Sequence, residues 1–412
     1  MMSDKSADTI ILSYKYRLLP TKKQHAALNH ILEQQRILYN AALEDRIDRY
    51  RKTGSTVTFY DQCKSLTAWR ASDEDARVTP VNMQRWTIKR LHDAYGDFFR
   101  RLKSGGKAGF PRFRGKGRWR SFGFNSVDGW EFDGARLRFK SLPGGLRVHL
   151  HRDLPIDSDI RSCVISRDIA GWFVTFNIRV RISVRSPAGA FAGIDVGIRD
   201  FATLSDGSSI PNPRHASRVE KELRRRQRSL ARCKKGGNRR KKVRKEVARL
   251  HLKLKNTRES YLHQVSADLV NRHDLIAVEK LNVKGMAKSY LAKSIHDASW
   301  GKFRQMLAYK AAKAGRELVE ANPRNTSQAC SGCGAIVKKD LKTRIHDCHE
   351  CGLVLDRDHN AAINILHKAV AGLGLHNVGH RPERATGNIT CEEVACETLP
   401  VAAWPIYQVA LV

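Results

Sequence analysis

The sequence predicts an α+β multidomain chain: an N-terminal β-rich domain interrupted by a helical insertion, then an α/β domain carrying an inserted zinc ribbon. Three observations predict it. An early apolar strand leads directly into helix-periodic sequence, and the stretch after Gly105 consists of short alternating runs. From Phe191 onward, apolar strands alternate with helical segments around two CxxC pairs. A length of 412 residues with 41% hydrophobic side chains supports about two to four domains with real cores.

The elements follow in order. "IILSYKYRLLP" reads as a strand, and Thr21 with Gln24 forms a capping-box pattern. Leu28, Ile31, Leu32, Gln35, Leu38, Tyr39 and Ala42 then stand at helical spacing, predicting a long amphipathic helix to about Gly54. A second helix is predicted over roughly Val81 to Lys103, with Met83, Leu91, Tyr95, Phe98 and Leu102 on one face and a stop at "SGG". "GFPRFRGKGRWRSFGF" comes next, followed by "LRVHLH", "SCVISRD" and "WFVTFNIRVRISV", short strands separated by turn residues. In the first of these segments Phe110, Phe113, Trp119, Phe122 and Phe124 interleave with Lys and Arg, a mixture suited to stacking bases and contacting phosphates. Arg118, Trp119 and Arg120 are its candidate nucleic-acid contacts; the alternative is a solvated loop. "SPAG" at 186–189 reads as a linker, and a basic helical hairpin is expected from Arg214 to Leu262, its halves separated by "GG".

Charge narrows the function. A net charge of +34 and a pI near 10.2 exceed what solubility requires and point to a polyanionic partner, nucleic acid first. The hairpin concentrates it: 20 Lys and Arg stand against 4 acids between Arg214 and Leu262, a balance that repels itself unless phosphates neutralise it. Arg239, Arg240, Lys241 and Lys242 are its candidate contacts, against the alternative of a solvated charged face. A membrane surface fits less well, because no hydrophobic anchor accompanies a basic amphipathic helix. "MMSDKSADTI" lacks a signal-peptide apolar core, and "LPVAAWPIYQVALV" is too short and Pro-interrupted to span a bilayer, so an intracellular protein is expected. Of nine cysteines, four form the CxxC pairs while Cys63, Cys163, Cys233, Cys391 and Cys396 are scattered, which favours metal over disulfides.

Two constellations carry chemistry. Asp195 ends the apolar run "FAGID", Glu279 ends "DLIAVEKLN" before its polar turn, and Asp358 opens the apolar helix "DHNAAINILHKAV". An unpartnered charge inside an apolar strand costs several kcal/mol, so Asp195 requires a cation, a hydrogen-bond network or a raised pKa. Two strand carboxylates and one at a helix start can converge at a sheet edge and hold two Mg²⁺ ions about 3.5 to 4 Å apart for attack on a phosphodiester. Taken singly, each is equally a strand-end turn residue or a cap. Asp358, Ala362 and Ile365 share one helical stripe, whereas Asp356 is placed to cap. The second constellation, Cys330, Cys333, Cys348 and Cys351, spaces two knuckles for one structural Zn²⁺ in a closed tetrahedral site. His346 and His349 could replace a ligand, but the expectation is that they lie on the exposed knuckle.

"GIDVGIRDFATLSDG", "IAVEKLN", "NPRNTSQACSGCG", "DCHECGLVLDRDHNAAINI", "RLLPTKKQ" and "LYNAAL" are similar to the TnpB family, transposon-encoded proteins related to type V CRISPR effectors. The resemblance spans Ile10 to about Leu366. It implies a wedge-like β-rich domain at 1–19 and 104–186, recognition helices at 20–103, and a RuvC-like RNase H domain at 190–329 and 352–371 with the ribbon at 330–351. It also implies an RNA-guided DNA endonuclease that takes a guide RNA from the transposon end and cuts double-stranded target DNA beside a short flanking motif. The family's catalytic Asp, Glu and Asp fall on Asp195, Glu279 and Asp358, and its ribbon ligands on the four cysteines. A monomer is expected, in the prokaryotic cytoplasm and associated with the nucleoid. The tail 372–412 matches nothing and is expected to lack fixed structure. Two rival readings are a nuclease-inactive RNA-guided DNA-binding regulator and a guide-free accessory transposition protein.

Overall fold

In the computed structural model, the described residues are 9–155, 159–182, 185–186, 188–340 and 343–374. The tail from 375 on, with Cys391 and Cys396, and Pro187 of the linker lie outside the described residues. The chain divides into two compact units, Ile10–Val180 and the residues from Arg181.

The first unit contains β1 (Thr9–Leu19), α1 (Lys22–Thr53), α2 (Phe59–Ser72), α3 (Glu74–Arg77), α4 (Val81–Lys103), β2 (Ser121–Phe124), β3 (Trp130–Phe132), β4 (Arg136–Phe139), β5 (Leu146–His149), β6 (Asp159–Asp168) and β7 (Gly171–Arg181). The strands form one sheet in the order β2-β6-β7-β1-β5-β4-β3. Period-two alternation decides which side chains enter the core: Leu12, Tyr14, Tyr16 and Leu18 from β1, and Trp172, Val174, Phe176, Ile178 and Val180 from β7. At the start of α1, Thr21 Oγ1 accepts from the Gln24 amide at 3.3 Å while Gln24 Oε1 accepts from the Thr21 amide at 3.0 Å. The helix stops at Gly54, whose φ of 68° is the left-handed cap that glycine adopts without strain. Helices α2 and α3 are additions to the sequence reading; the signal for α2 is its own capping box, Thr58 with Asp61.

The second unit contains β8 (Phe191–Val196), β9 (Asp200–Leu204), β10 (Ser209–Pro211), α5 (His215–Arg232), α6 (Asn238–Arg272), β11 (Leu275–Glu279), α7 (Val283–Met286), α8 (Ala292–Ala298), α9 (Trp300–Ala314), β12 (Glu317–Ala321), β13 (Ile345–Asp347), β14 (Val354–Asp356) and α10 (Arg357–Gly372). Its five-stranded sheet runs β10-β9-β8-β11-β12, with β8, β11 and β12 parallel and β9 antiparallel to both β8 and β10. The basic hairpin is α5 with α6, and α6 continues past Leu262 to Arg272 because Leu262, Leu269 and Val270 pack into the core.

Alternation splits this sheet between two cores. Ala192, Ile194, Ile276 and Val278 pack on one face with Trp300, Phe303, Met306 and Leu307 of α9. Leu275 and Ala277 pack on the other with Ile365, Leu366, Ala369 and Val370 of α10. Gly193 sets how near α10 comes: a Cβ there would lie 2.1 Å from the Ala362 carbonyl oxygen and 2.8 Å from Leu366 Cβ. Ala361 and Ala362, both fully buried, are small enough to complete that close contact.

Candidate functional site

The same alternation places the carboxylates. Asp195 follows Gly193 by two residues and Glu279 follows Ala277 by two, so both emerge on the α10 face. The parallel register pairs Ile194 with Val278, which puts the two carboxylates at one level at the ends of adjacent strands. Asp358 sits in the first turn of α10, and Asp356 caps that helix, accepting from the amides of Asp358 at 2.8 Å and His359 at 3.3 Å. The structure therefore brings Asp195, Glu279 and Asp358 to one sheet edge.

The electrostatics record this convergence. Burial of the Asp195 carboxyl, then the neighbouring charges of Glu279 and Asp358, push it well above the usual carboxylate range against a smaller opposing pull from Arg357. Burial also raises Glu279, while a hydrogen bond from Thr326 and the charge of Lys368 pull it back. Asp358 is held by arginines, Arg357 at 3.2 Å and Arg344 at 3.6 Å. A divalent cation at the edge would face three acidic ligands, one of them already in competition with guanidinium. These oxygen donors fit Mg²⁺.

The four cysteines come together more tightly. Their sulfurs all lie within 4.8 Å of one another, the one such closed donor group among the described residues. Cys330 and Cys351 approach to 3.6 Å, as do Cys333 and Cys348. Two matching turns build the cluster. Gly334 N–H donates to the Cys330 carbonyl at 2.9 Å and Gly352 N–H to the Cys348 carbonyl at 2.8 Å, both glycines having positive φ. Backbone amides, Cys351 first and Glu350 after burial's opposing effect, bring the Cys348 thiol down to about 7, whereas at Cys351 the pull of the Leu353 amide is outweighed by the neighbouring sulfurs, which push it up to about 12, so without a metal the four sulfurs share their protons unevenly. Four sulfur donors at this spacing fit one Zn²⁺. His346 and His349 are outside the donor group; His346 is buried with Lys339 at its Nδ1.

The basic candidates divide. Arg118 and Arg120 are exposed, but Trp119 is 5% exposed, its ring 4.9 Å from that of Tyr39 and 4.6 Å beneath the Arg90 guanidinium. Base stacking by Trp119 is thereby overturned, since its ring belongs to the core, as do Phe122 and Phe124; Phe110 and Phe113 stay exposed. On the hairpin, Arg239, Lys241 and Lys242 are exposed, whereas Arg240 turns inward and donates to the carbonyls of Leu230 at 2.7 Å and Cys233 at 3.0 Å, closing the end of α5. Helices α5 and α6 flank a half-open groove of about 960 Å³ lined by Arg224, Arg225, Arg228, Arg232, Lys234 and Arg239 among others.

Sequence reasoning missed Gly193, Thr326, Asn360 and Asn364. A glycine inside an apolar strand is the available signal for the first, and two asparagines one helical turn apart in "DHNAAINI" for the last pair.

The fold and these two sites define a mixed α/β protein with a sheet-edge carboxylate cluster and a Cys₄ cluster that could hold a metal ion. Residues 176–290 match the "Probable transposase" family OrfB of IS605, residues 300–365 the "Cas12f1-like, TNB domain", and residues 10–55 that transposase family's "Helix-turn-helix domain", here β1 and the single helix α1. A Streptomyces pristinaespiralis protein named "Putative RNA-guided DNA endonuclease" is 33% identical over 381 residues, 90% of this chain and 92% of the relative. The Escherichia coli K12 protein of that name designated InsQ is 27% identical over 374 residues, 86% of this chain and 91% of the relative. The fold is similar to that of Cas12f1 in a Cas12f1–sgRNA–target DNA complex, with a TM-score of 0.57 at 16% identity over 83% of this chain and 82% of that one. The chain belongs to the TnpB family, related to the type V effectors. Among the described residues, no helix is long and apolar enough to cross a membrane.

Proposed function

We propose that this chain is an RNA-guided DNA endonuclease of a transposon, with a RuvC-like RNase H domain that hydrolyses phosphodiesters of target DNA beside a short flanking motif. The observation that carries the reading is the placement of Asp195 and Glu279 at the ends of neighbouring parallel strands, on the face where α10 begins with Asp358. Asp195, Glu279 and Asp358 would hold two Mg²⁺ ions. Bound there, the ions supply charge neutralisation at the scissile phosphate and an activated water. The four cysteines would hold one Zn²⁺ that fixes the ribbon.

Guide RNA and double-stranded DNA are the partners this reading assigns, with base pairing supplying sequence and the protein reading duplex shape and the flanking motif. The α5–α6 hairpin contacts phosphates through Arg239, Lys241 and Lys242, and Arg118 and Arg120 do so in the β-rich domain. This reading also assigns the partition 1–19 with 104–186, the helices of 20–103, 190–329 with 352–371, and the ribbon 330–351.

Two measurements test the reading. RNA bound to the purified protein is sequenced, and a transposon-end transcript is expected; its absence favours a guide-free accessory protein. Cleavage of matched DNA is then assayed in Mg²⁺ for Asp195→Ala, Glu279→Ala, Asp358→Ala and Asp356→Ala. The first three should abolish cleavage while retaining RNA and target binding; the last loses a helix cap, about 1 kcal/mol, and keeps cleaving. Wild-type protein that binds guide and target without cutting would leave the regulator reading instead.

A further inference from the structure

Glu279 is registered with Ala321 across the parallel pair β11–β12, so the chain that leaves β12 starts beside it. It comes back. Thr326, 3% exposed, donates its hydroxyl to Glu279 Oε1. The same Oγ1 lies 3.1 Å from the Pro323 carbonyl, but a hydroxyl has one proton and an ionised carboxylate is the stronger acceptor. The backbone around Thr326 is fixed in turn by α10. Asn364 Nδ2 donates to the carbonyls of Thr326 at 2.9 Å and Ala329 at 2.7 Å. Asn360 Nδ2 donates to Ala329 at 2.8 Å, and Asn360 Oδ1 accepts from the Ser331 amide at 2.9 Å. Both asparagines are buried and one turn apart on the helix that Asp358 opens. Cys330 stands between the two clamped residues Ala329 and Ser331.

On the reading of the sheet edge as a divalent-cation site, we propose that Thr326 is a positioning residue that fixes the Glu279 carboxylate for the cation. A glutamate at a strand end has three side-chain torsions to settle. A charge-assisted bond to one oxygen removes much of that freedom and leaves the other oxygen for metal. Because Asn360 and Asn364 hold residues 326–331 against α10, the same segment ties Glu279, Asp358 and the first ribbon knuckle into one frame. The buried Asn360 amide, bonded at both its nitrogen and its oxygen, and the Asn364 nitrogen shared between two carbonyls hold a shape well, since alternative arrangements leave such groups unpaired.

The test uses the full chain with Thr326→Val, which keeps the shape and deletes the donor, and Thr326→Ser, which keeps the donor. Mn²⁺ binding is titrated calorimetrically, cleavage is followed against Mg²⁺ concentration, and zinc content and RNA affinity are measured in parallel. Loss of a partner that orients a metal ligand typically weakens metal binding about 10- to 100-fold. Thr326→Val should show that loss in Mn²⁺ affinity and a Mg²⁺ midpoint raised by the same factor, with zinc and RNA binding unchanged; Thr326→Ser should restore both. Wild-type Mn²⁺ affinity in Thr326→Val overturns the proposal, as does a Thr326→Ser variant as defective as the valine. If the valine variant does not fold, Thr326→Ala replaces it under the same criteria, and Thr326→Ser must still bind Mn²⁺ as wild type. Asp195→Asn separates the two levels: if it also binds Mn²⁺ normally, the cation site itself is wrong, whereas a normal Thr326→Val beside a defective Asp195→Asn sinks the positioning role alone.

Discussion

Replacing Arg239, Lys241 and Lys242 with alanine tests whether the α5–α6 hairpin lies along a nucleic-acid backbone. All four cations of "RRKK" look equivalent in the sequence, but Arg240 is committed to the carbonyls of Leu230 and Cys233, leaving three exposed. Each phosphate contact contributes about 0.7 to 0.9 to the slope of log affinity against log salt, so the triple variant should flatten that slope by about 2 to 3 units. Adding Arg240→Ala should not flatten it further; it should instead loosen the hairpin turn and lower the melting temperature, since hydrogen bonds from a charged donor are worth about 1.5 to 3 kcal/mol before its partial exposure is discounted. The assay is fluorescence anisotropy with the copurifying RNA at a series of NaCl concentrations. Affinity should fall alike for unrelated guides, because phosphates carry no sequence. An unchanged slope in the triple variant refutes the contact and leaves a solvated hairpin. A further drop of a full unit on adding Arg240→Ala refutes the internal assignment of that arginine.

Two further outcomes follow from the sheet edge. Gly193→Ala places a methyl carbon 2.1 Å from a backbone oxygen of α10, so the helix must move; overpacking of about 1 to 3 kcal/mol is expected as a lowered calorimetric melting temperature, with cleavage reduced and zinc retained. A variant that melts and cuts like wild type would refute the close packing. Asp195→Asn should raise the melting temperature in EDTA at neutral pH. A carboxyl raised by folding contributes stability that is complete below its unfolded value and is lost as pH rises through the folded one. Metal-free wild type should therefore lose stability between acidic and neutral pH relative to the asparagine variant, and Mg²⁺ should restore the wild type only. Parallel pH profiles for the two proteins would contradict the raised carboxyl.

What the sequence disclosed is what short-range pattern controls. The α1 start was legible because Thr21 and Gln24 satisfy each other three residues apart, and the strands because Leu12 to Leu18 and Trp172 to Val180 alternate. The cysteine cluster was legible because each knuckle is closed by hydrogen bonds within five residues of chain. Trp119 misled because basic residues on both sides suggest a surface, yet its ring packs against Tyr39 of α1 beneath the Arg90 guanidinium of α4, partners about 80 and 29 positions away that no local pattern announces. Thr326 and Glu279 lie 47 positions apart, and Asn364 reaches a carbonyl 38 positions away, so no local spacing announces either bond. Gly193 carried a signal, a glycine in a buried strand, but its meaning is the approach of Ala362 from far down the chain.

The burial of Asp195 and the charge of +34 belong to one design problem. A cluster of three carboxylates repels the phosphates it is proposed to cut, and burial with its acidic neighbours raises the Asp195 carboxyl well above the usual carboxylate range. Cations held at the edge by Asp195, Glu279 and Asp358 would reverse both effects, since they would favour the ionised carboxyls and present positive charge to the backbone. They cannot supply long-range attraction, because exposed charges are screened within about 8 to 10 Å at ordinary salt. Attraction over the length of a duplex needs many fixed cations spread along the surface, and on the proposed function the hairpin would provide them, with Arg224, Arg225 and Arg228 lining its groove on one helix and Arg239 on the other. On the proposed function a division of labour follows: the arginines and lysines would set affinity and its salt dependence, while the half-buried acids would set only what happens to the phosphate once bound. Removing a carboxylate should therefore spare binding, and removing the hairpin's cations should spare the chemistry of whatever substrate still binds.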